Sequence, residues 1–151
     1  MNTKIITGIV KLAYAHIFEP YTIEGMEDCE PRYSTTVIIP KTDTETLRAI
    51  NAAIAQAQIG FSNKKYIKTL PRDGDLERQG DPLYKGCYFF NANSKNKPGI
   101  VDSNVNTIVG PMQVKNGYYA KVSFNLYSYN SNGNKGIAAG LNNIQLIGGA
   151  M

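Results

Sequence analysis

The sequence has no tryptophan, only two cysteines and only one histidine among its 151 residues. Two cysteines cannot form a disulfide scaffold, and so few thiols and imidazoles cannot build a zinc site from several such ligands. The apolar runs are far shorter than the roughly 20 residues that a membrane-spanning helix needs, and the N-terminus lacks the apolar block of a secretory signal. These absences predict one folded domain over residues 1–151, in a reduced cytoplasmic setting, with no membrane contact, metal or cofactor.

Acidic residues are scarce in the second part of the chain. Residues 61–151 contain eleven Lys and Arg against five Asp and Glu, whereas residues 1–60 contain five against seven. Eleven of the fifteen aromatic residues also lie after position 60. Positive charge attracts polyanions and flat rings stack on unpaired bases, so the combination favours a groove for single-stranded nucleic acid. For the charge taken alone, a solvated surface with a chance imbalance is the simpler interpretation.

Hydrophobic alternation and turn residues predict a mainly β protein. Glu19-Pro20 is expected to end the first strand, since proline cannot continue a ladder of hydrogen bonds. The predicted strands cover residues 4–18, 33–39, 84–93, 118–129 and 141–147, with a short extended piece at 100–101. Alternation in the first of them places Tyr14 on the same face as Leu12. Five or six strands predict a small, closed or nearly closed barrel.

One helix is predicted, over about residues 43–58. Thr42 and Glu45 are spaced as in a capping box, with the Thr42 hydroxyl as the N-cap acceptor. Leu47, Ile50 and Ile54 then recur at helical spacing. The pattern is typical of an amphipathic helix that packs its apolar side on a sheet.

The strand at 118–129 gives the sharpest indication of a binding surface. One face is apolar, and the other holds Tyr119, Lys121, Ser123, Asn125, Tyr127 and Tyr129. Lysine neutralises phosphate, and aromatic rings stack on bases at about 1–3 kcal/mol each. Cross-strand aromatic packing that only stabilises the sheet fits the same pattern equally well.

The strand at 84–93 is also rich in aromatic residues. Tyr84, Tyr88 and Phe90 share one face and Phe89 lies on the other, and the pattern does not reveal which face is core. The residues expected to contact nucleic acid are aromatic and basic side chains of the strands at 84–93 and 118–129. Basic side chains of the loop between the helix and the strand at 84–93 are added to them. Together they are Lys64, Lys65, Lys68, Arg72, Tyr84, Tyr88, Phe90, Tyr119, Lys121, Tyr127 and Tyr129.

An acidic loop provides the enzyme alternative. Four carboxylates follow one another closely, at Asp73, Asp75, Glu77 and Asp81. Such a group can hold a metal ion for phosphodiester cleavage, which would make the protein a metal-dependent nuclease or resolvase. Arg72 and Arg78 flank the carboxylates, however, and a solvated or salt-bridged loop is the favoured interpretation.

Short motifs along nearly the whole chain share their order and spacing with a known family. They lie at 12–20, 32–34, 39–41, 70–75, 84–93, 97–98, 101–102, 127–129, 135–137 and 141–145. In these motifs the chain resembles the short single-stranded DNA-binding proteins of tailed phages and prophages, long classed as a domain of unknown function. The resemblance implies an OB-fold barrel that binds single-stranded DNA without strong sequence preference, in phage DNA replication or recombination, inside the bacterial host and without catalysis.

The resemblance also bears on residues and partners. It adds Arg32 and Tyr33 to the candidate DNA-binding residues, because they lie on a matching motif. The chain ends without the acidic tail of many single-strand binders, so contact with phage replication or recombination proteins would use another surface, such as the acidic residues at 24–30, or be absent. Exposed strand edges permit a homodimer. A structural or adaptor phage protein, with the aromatic face as its interface, is the third alternative.

Overall fold

A computed structural model of the protein describes residues 4–21, 31–57, 71–108, 114–131 and 134–148. Its elements are, in chain order, β1 (Lys4–Ile6), β2 (Val10–Tyr21), β3 (Arg32–Pro40), α1 (Thr44–Ala57), β4 (Arg72–Asp73), α2 (Gly74–Glu77), β5 (Cys87–Ser94), β6 (Gly99–Val101), β7 (Tyr118–Ser131) and β8 (Asn134–Gly148). The side chains of residues 129–131 and of 134 and 135 lie outside this description.

Five strands close into a barrel, in the order β2-β3-β5-β8-β7 and back to β2. β5 and β8 pair in parallel, and the other four junctions are antiparallel. The short strands extend this barrel at its edges, with β1 beside β7, β6 beside β8 and β4 beside β5. The architecture is that of an OB-fold-like, mainly β protein, as predicted.

The barrel interior forms the main core. Alternate residues of the long strands point inward, so that Leu12, Val37, Phe90 and Phe124 are all buried together. The rings of Phe90 and Phe124 meet with 4.8 Å between their centroids. α1 packs against β1 and β7 and buries Ile50 in the same core. Removal of these apolar side chains from water is the main stabilising contribution to the fold.

A second apolar cluster covers one end of the outer face of β2, β3 and β5. Ala13, Ile38 and Phe89 point outward from these strands, and Tyr84 and Cys87 pack on them. The sequence pattern left open which face of β5 belongs to the core, and this cluster decides it. Both faces of β5 are buried at this end of the strand. Phe90 lies inside the barrel, and Phe89 is covered by Tyr84 and Cys87. At the other end of the outer face, none of the described segments packs over these strands.

The first strand differs from its prediction in two respects. It is interrupted after Ile6, because Thr7 turns toward β7, where its hydroxyl accepts the Val122 N–H at 3.0 Å. Gly8 passes so close to α1 that a Cβ there would lie 2.9 Å from Asp43 Oδ2. The strand then runs through Pro20 to Tyr21. Proline is tolerated there because the ladder with β3 is irregular between His16 and Tyr21.

The helix α1 matches its predicted range, but its cap is a different residue. Asp43, not Thr42, closes the first turn. Its Oδ1 accepts the Thr46 N–H at 3.2 Å and its Oδ2 accepts the Thr46 hydroxyl at 2.7 Å. A carboxylate at this position also interacts favourably with the positive end of the helix dipole. The last strand is longer than expected, since β8 begins at Asn134 and not at Leu141.

Candidate nucleic-acid interface

An open groove of about 430 Å³ occupies the uncovered end of the outer face of β2, β3 and β5. The groove therefore lies on the sheet surface directly beside the second apolar cluster. Its lining consists of aromatic rings, one arginine, hydroxyls and amides, supplied by Tyr14, His16, Tyr21, Arg32, Ser34, Thr35, Thr36, Asn91 and Asn93. None of these described lining residues is acidic.

The floor of the groove is polar and ordered by cross-strand hydrogen bonds. Thr36 and Asn91 are partners in the β3–β5 ladder, and the Thr36 hydroxyl donates to Asn91 Oδ1 at 2.6 Å. Arg32 Nη1 donates to Asn93 Oδ1 at 3.1 Å. The contact orients the guanidinium over the floor while the arginine stays exposed. Hydroxyls and amides here can hydrogen-bond to sugars or to base edges.

The wall of the groove is aromatic. The rings of His16 and Tyr21 are stacked with 4.2 Å between their centroids and an angle of 10° between their planes. Tyr14, which also lines the groove, is 63% exposed. Rings presented to solvent in this way offer flat faces on which unpaired bases can stack.

A β-bulge explains why Tyr14 lies in the groove. Ala13 pairs with Thr36 and His16 pairs with Ser34, so β2 carries one more residue than β3 between these two pairs. Tyr14 takes up the difference with φ at +49°, a left-handed conformation that costs a residue with a side chain about 1–2 kcal/mol. The bulge turns Tyr14 away from the face of Leu12, so the predicted placement of Tyr14 was wrong.

The turn before β7 braces this bulge. Asn116 Oδ1 accepts the Tyr14 N–H at 2.9 Å, and the Gly117 N–H donates to the Leu12 carbonyl at 2.8 Å. Gly117 has φ at +95°, a conformation for which glycine is best suited. A segment about 100 positions away in sequence thus holds the strained backbone that presents the Tyr14 ring.

The outward face of β7 agrees with its prediction in part. Tyr119, Lys121 and Tyr127 are exposed on it. Ser123 is buried and Asn125 is half-buried, where β1 pairs with β7. The backbone of Tyr129 continues β7, and its side chain lies outside the described residues.

A row of cross-strand pairs connects the groove to β7. Ser34 pairs with Asn93, Asn93 with Gly140, and Gly140 with Asn125. Paired residues point to the same side of a sheet, so these positions share the outer face of the barrel. Asn125 lies over Gly140, since a Cβ on that glycine would be 2.9 Å from Asn125 Oδ1. The groove and the β7 row are therefore parts of one continuous surface.

Two of the predicted aromatic contacts are corrected by the structure. Tyr84 is 4% exposed in the second apolar cluster, where its ring meets Phe89 edge-on with 5.0 Å between centroids. Phe90 is 2% exposed in the barrel core. Neither ring has a free face for a base. Burial also raises the pKa of the Tyr84 hydroxyl.

Three further candidates lie away from the groove. Tyr33 is half-buried on β3 and is not among the residues that line the groove. Tyr88 is half-buried, with the Lys41 ammonium 5.2 Å from its ring centroid. Arg72 forms an ion pair with Glu77 at 2.8 Å. The loop residues Lys64, Lys65 and Lys68 lie outside the described residues.

The acidic loop forms ion pairs. Lys41 Nζ lies 2.9 Å from Asp73 Oδ1 and 2.8 Å from Asp75 Oδ2. Hydrogen bonds to Asp75 and then Asp73 raise the pKa of Lys41. The Lys41 hydrogen bond, followed by that from the Gly86 N–H, lowers the pKa of Asp75. Lys41 thus engages Asp73 and Asp75, and Arg72 engages Glu77, so these three carboxylates form the salt bridges that the favoured interpretation expected.

Comparison with known proteins gives a consistent result. Residues 3–150 match the family of the Enterobacter phage Enc34 ssDNA-binding protein. The solved structure of the C-terminally truncated Enc34 single-stranded DNA-binding protein superposes with a TM-score of 0.86 at 19% identity, covering 99% of this chain and 87% of that chain. The same phage protein in complex with ssDNA gives 0.81 at 19% identity, covering 99% and 88%.

A protein of a second phage has the same fold. Gp2.5, a single-stranded DNA-binding protein encoded by bacteriophage T7, gives a TM-score of 0.75 at 14% identity, covering all of this chain and 89% of that chain. No curated protein sequence matches significantly. The described helices include none long and apolar enough to span a membrane. The family and these relatives are single-stranded DNA-binding proteins and not enzymes. Because the match extends over nearly the whole chain, the protein belongs to the family of the Enc34 phage ssDNA-binding protein.

Proposed function

We propose that the protein binds single-stranded DNA in the groove on β2, β3 and β5, without strong sequence preference, during phage DNA replication or recombination in the bacterial cytoplasm. The observation that carries this proposal is the groove itself. It combines exposed rings with an oriented arginine and has no carboxylate among its described lining residues. A duplex cannot use such rings, because its bases are already stacked on one another.

The proposed mechanism divides the work between two kinds of side chain. Tyr14 and the stacked pair His16–Tyr21 stack on bases, which tolerates any sequence because every base has a flat face. Arg32 neutralises a phosphate at the groove, and Lys121 on β7 neutralises a phosphate of a longer strand that continues along the same outer surface. The amides of Asn91 and Asn93 hydrogen-bond to sugars and base edges from the floor.

Other predicted residues extend the proposed interface. Tyr119 and Tyr127 are exposed on the surface that continues from the groove. Tyr129 and the loop lysines 64, 65 and 68 are retained as proposed contacts from the sequence. The proposed interface excludes Tyr84 and Phe90, which are buried, and Tyr33, Tyr88 and Arg72, which lie elsewhere. All of it belongs to one OB-fold-like domain, proposed to span residues 1–151.

Fluorescence anisotropy tests the proposal directly. A labelled poly-dT oligonucleotide is titrated with the protein at several salt concentrations, and a duplex of equal length is titrated in parallel. We expect tight binding of the single strand, weak binding of the duplex, and a logarithmic salt slope of about −0.7 for each neutralised phosphate. Flat titration curves for the single strand at low salt would show that the groove does not bind DNA.

Asn116 should act as a positioning residue for Tyr14. Asn116→Ala removes the acceptor of the Tyr14 N–H, and one such hydrogen bond corresponds to an expected loss of about three- to tenfold in poly-dT affinity. Asn116→Gln keeps an uncharged acceptor oxygen and should restore part of the affinity. In a Tyr14→Ala background, Asn116→Ala should cause no further loss, because the ring that it positions is gone. Additive losses in that double variant would contradict the positioning role.

A further inference from the structure

A second, smaller cleft of about 210 Å³ lies on the outer face of β7 and β8. One row of cross-strand partners crosses it, from Ile6 on β1 through Ser123 and Asn143 to Gly99 on β6. Gly99 makes room for its neighbour, since a Cβ at this position would lie 2.5 Å from Asn143 Oδ1. The cleft is thus a depression in a four-stranded surface, bounded by the two short edge strands.

Ser123 is the unusual residue of this cleft. The residue is 8% exposed, and its buried Oγ has no hydrogen-bond partner among the described residues. Nearly all buried hydroxyls in native proteins are hydrogen-bonded, because the loss of water at such a group has to be compensated. A ligand atom that accepts a hydrogen bond inside the cleft would supply this compensation.

The remaining lining indicates the charge of that ligand. Lys121 lies two residues before Ser123 on the same face of β7, exposed at the cleft. Gln145, its partner on β8, is already engaged, since its Nε2 donates to the carbonyl of Ser103 at 3.2 Å. Among the described residues that line the cleft, there is one cation and no carboxylate. An ammonium and an unused hydroxyl donor together suit an anion with oxygen acceptors, such as a phosphodiester.

The cleft can be reached from the groove along the outer face of the barrel. His16, Ser34, Asn93, Gly140 and Asn125 are successive partners across five strands. At Gly140 the amide of Asn125 occupies the space of the missing side chain, and Asn125 lies two residues after Ser123 on β7. Four strand spacings of about 4.8 Å separate the two ends of the row, a span that a few extended nucleotides can cover.

We propose that this cleft binds a backbone phosphate of the same DNA strand that occupies the groove. Lys121 neutralises its charge, and the Ser123 hydroxyl donates a hydrogen bond to one of its oxygens. The inference rests on the proposed function and extends it. The binding track leaves the aromatic groove, crosses Gly140 and ends at the cleft, so only an oligonucleotide longer than the groove engages Ser123.

The test uses two lengths of poly-dT, about 6 and about 16 nucleotides, near the limits of the site sizes known for this fold. Ser123→Ala is expected to weaken binding of the longer oligonucleotide about tenfold, because it removes a hydrogen bond to a charged group, and to leave the shorter one unchanged. The same substitution should maintain or raise the melting temperature, since it deletes an unpartnered hydroxyl. If Ser123 had a purely structural role, Ser123→Ala would not lower the affinity while the melting temperature is maintained or raised.

The charge of the cleft is tested by Lys121→Gln. This substitution should make the salt slope less steep by about 0.7 for the longer oligonucleotide alone. Lys85→Gln, which removes an exposed charge in the segment before β5, is the matched control and should leave both slopes unchanged. Equal effects of the cleft variants on both lengths, or no effect on the longer one, would overturn the inference. If the unaltered protein binds neither length, the proposed function itself fails.

Discussion

Replacing Tyr14 and Tyr21 together by alanine is expected to weaken poly-dT binding by at least about 30-fold. Each ring that stacks on a base contributes about 1–3 kcal/mol, and the two losses combine in this variant. Tyr21→Ala also removes the ring on which His16 is stacked, so the remaining imidazole loses its fixed orientation. Anisotropy titrations at one moderate salt concentration measure the change, with circular dichroism to confirm the fold.

The matched control replaces two exposed tyrosines on β7. Tyr119→Ala with Tyr127→Ala removes the same chemical groups from the surface that the sequence pattern favoured. We expect this pair to cost less affinity than the groove pair, since these rings lie outside the groove. A larger loss for the β7 pair would move the principal stacking site from the groove to that strand.

Phe90→Ala is expected to lower the free energy of unfolding by about 3–5 kcal/mol, as measured by urea denaturation. The ring is 2% exposed and packs against Phe124, so its removal leaves a cavity in the middle of the barrel. The dissociation constant for poly-dT, corrected for the folded fraction, should not change. A loss of stability without a loss of affinity would show that Phe90 is a core residue and not a DNA contact. The sequence pattern of β5 allows both roles.

A milder variant keeps this prediction testable if Phe90→Ala does not fold. Phe90→Leu retains most of the apolar volume and should cost about 1–1.5 kcal/mol of stability. It removes the aromatic face completely, so a stacking role would still be lost. A large decrease in affinity with an intact fold would return Phe90 to the interface and contradict its placement in the core.

The periodic parts of the chain were predictable because their signals are local. The helix at 43–58 follows from apolar residues at helical spacing and lies at Thr44–Ala57. The strand at 118–129 follows from strict alternation and corresponds to β7, with Tyr119, Lys121 and Tyr127 on the outward face as expected. In both elements, the side that faces the core is determined by the order of neighbouring residues.

The groove was not predictable in this way. Tyr14 lies at a position that regular alternation assigns to the core, and only the bulge between Ala13 and His16 turns it outward. The groove aromatics lie in the less basic first part of the chain, so the charge pattern directed attention elsewhere. The available signal for the groove was the group of aromatic residues at 14–21, a segment that also contains Pro20. It does not reveal the bulge.

By itself, the sequence determined the fold class, the helix, the strand at 118–129 and the single-stranded DNA-binding family, because these depend on residue order and spacing. The tertiary structure decided which aromatic rings are available to bases. Phe90 is buried inside the barrel, and Phe89 is buried as well because Tyr84 and Cys87 pack on the outer face of β5. Tyr14 is exposed because Asn116, far away in sequence, holds a strained backbone in place. Solvent exposure depends on what packs against a strand, and residues distant in sequence supply that packing.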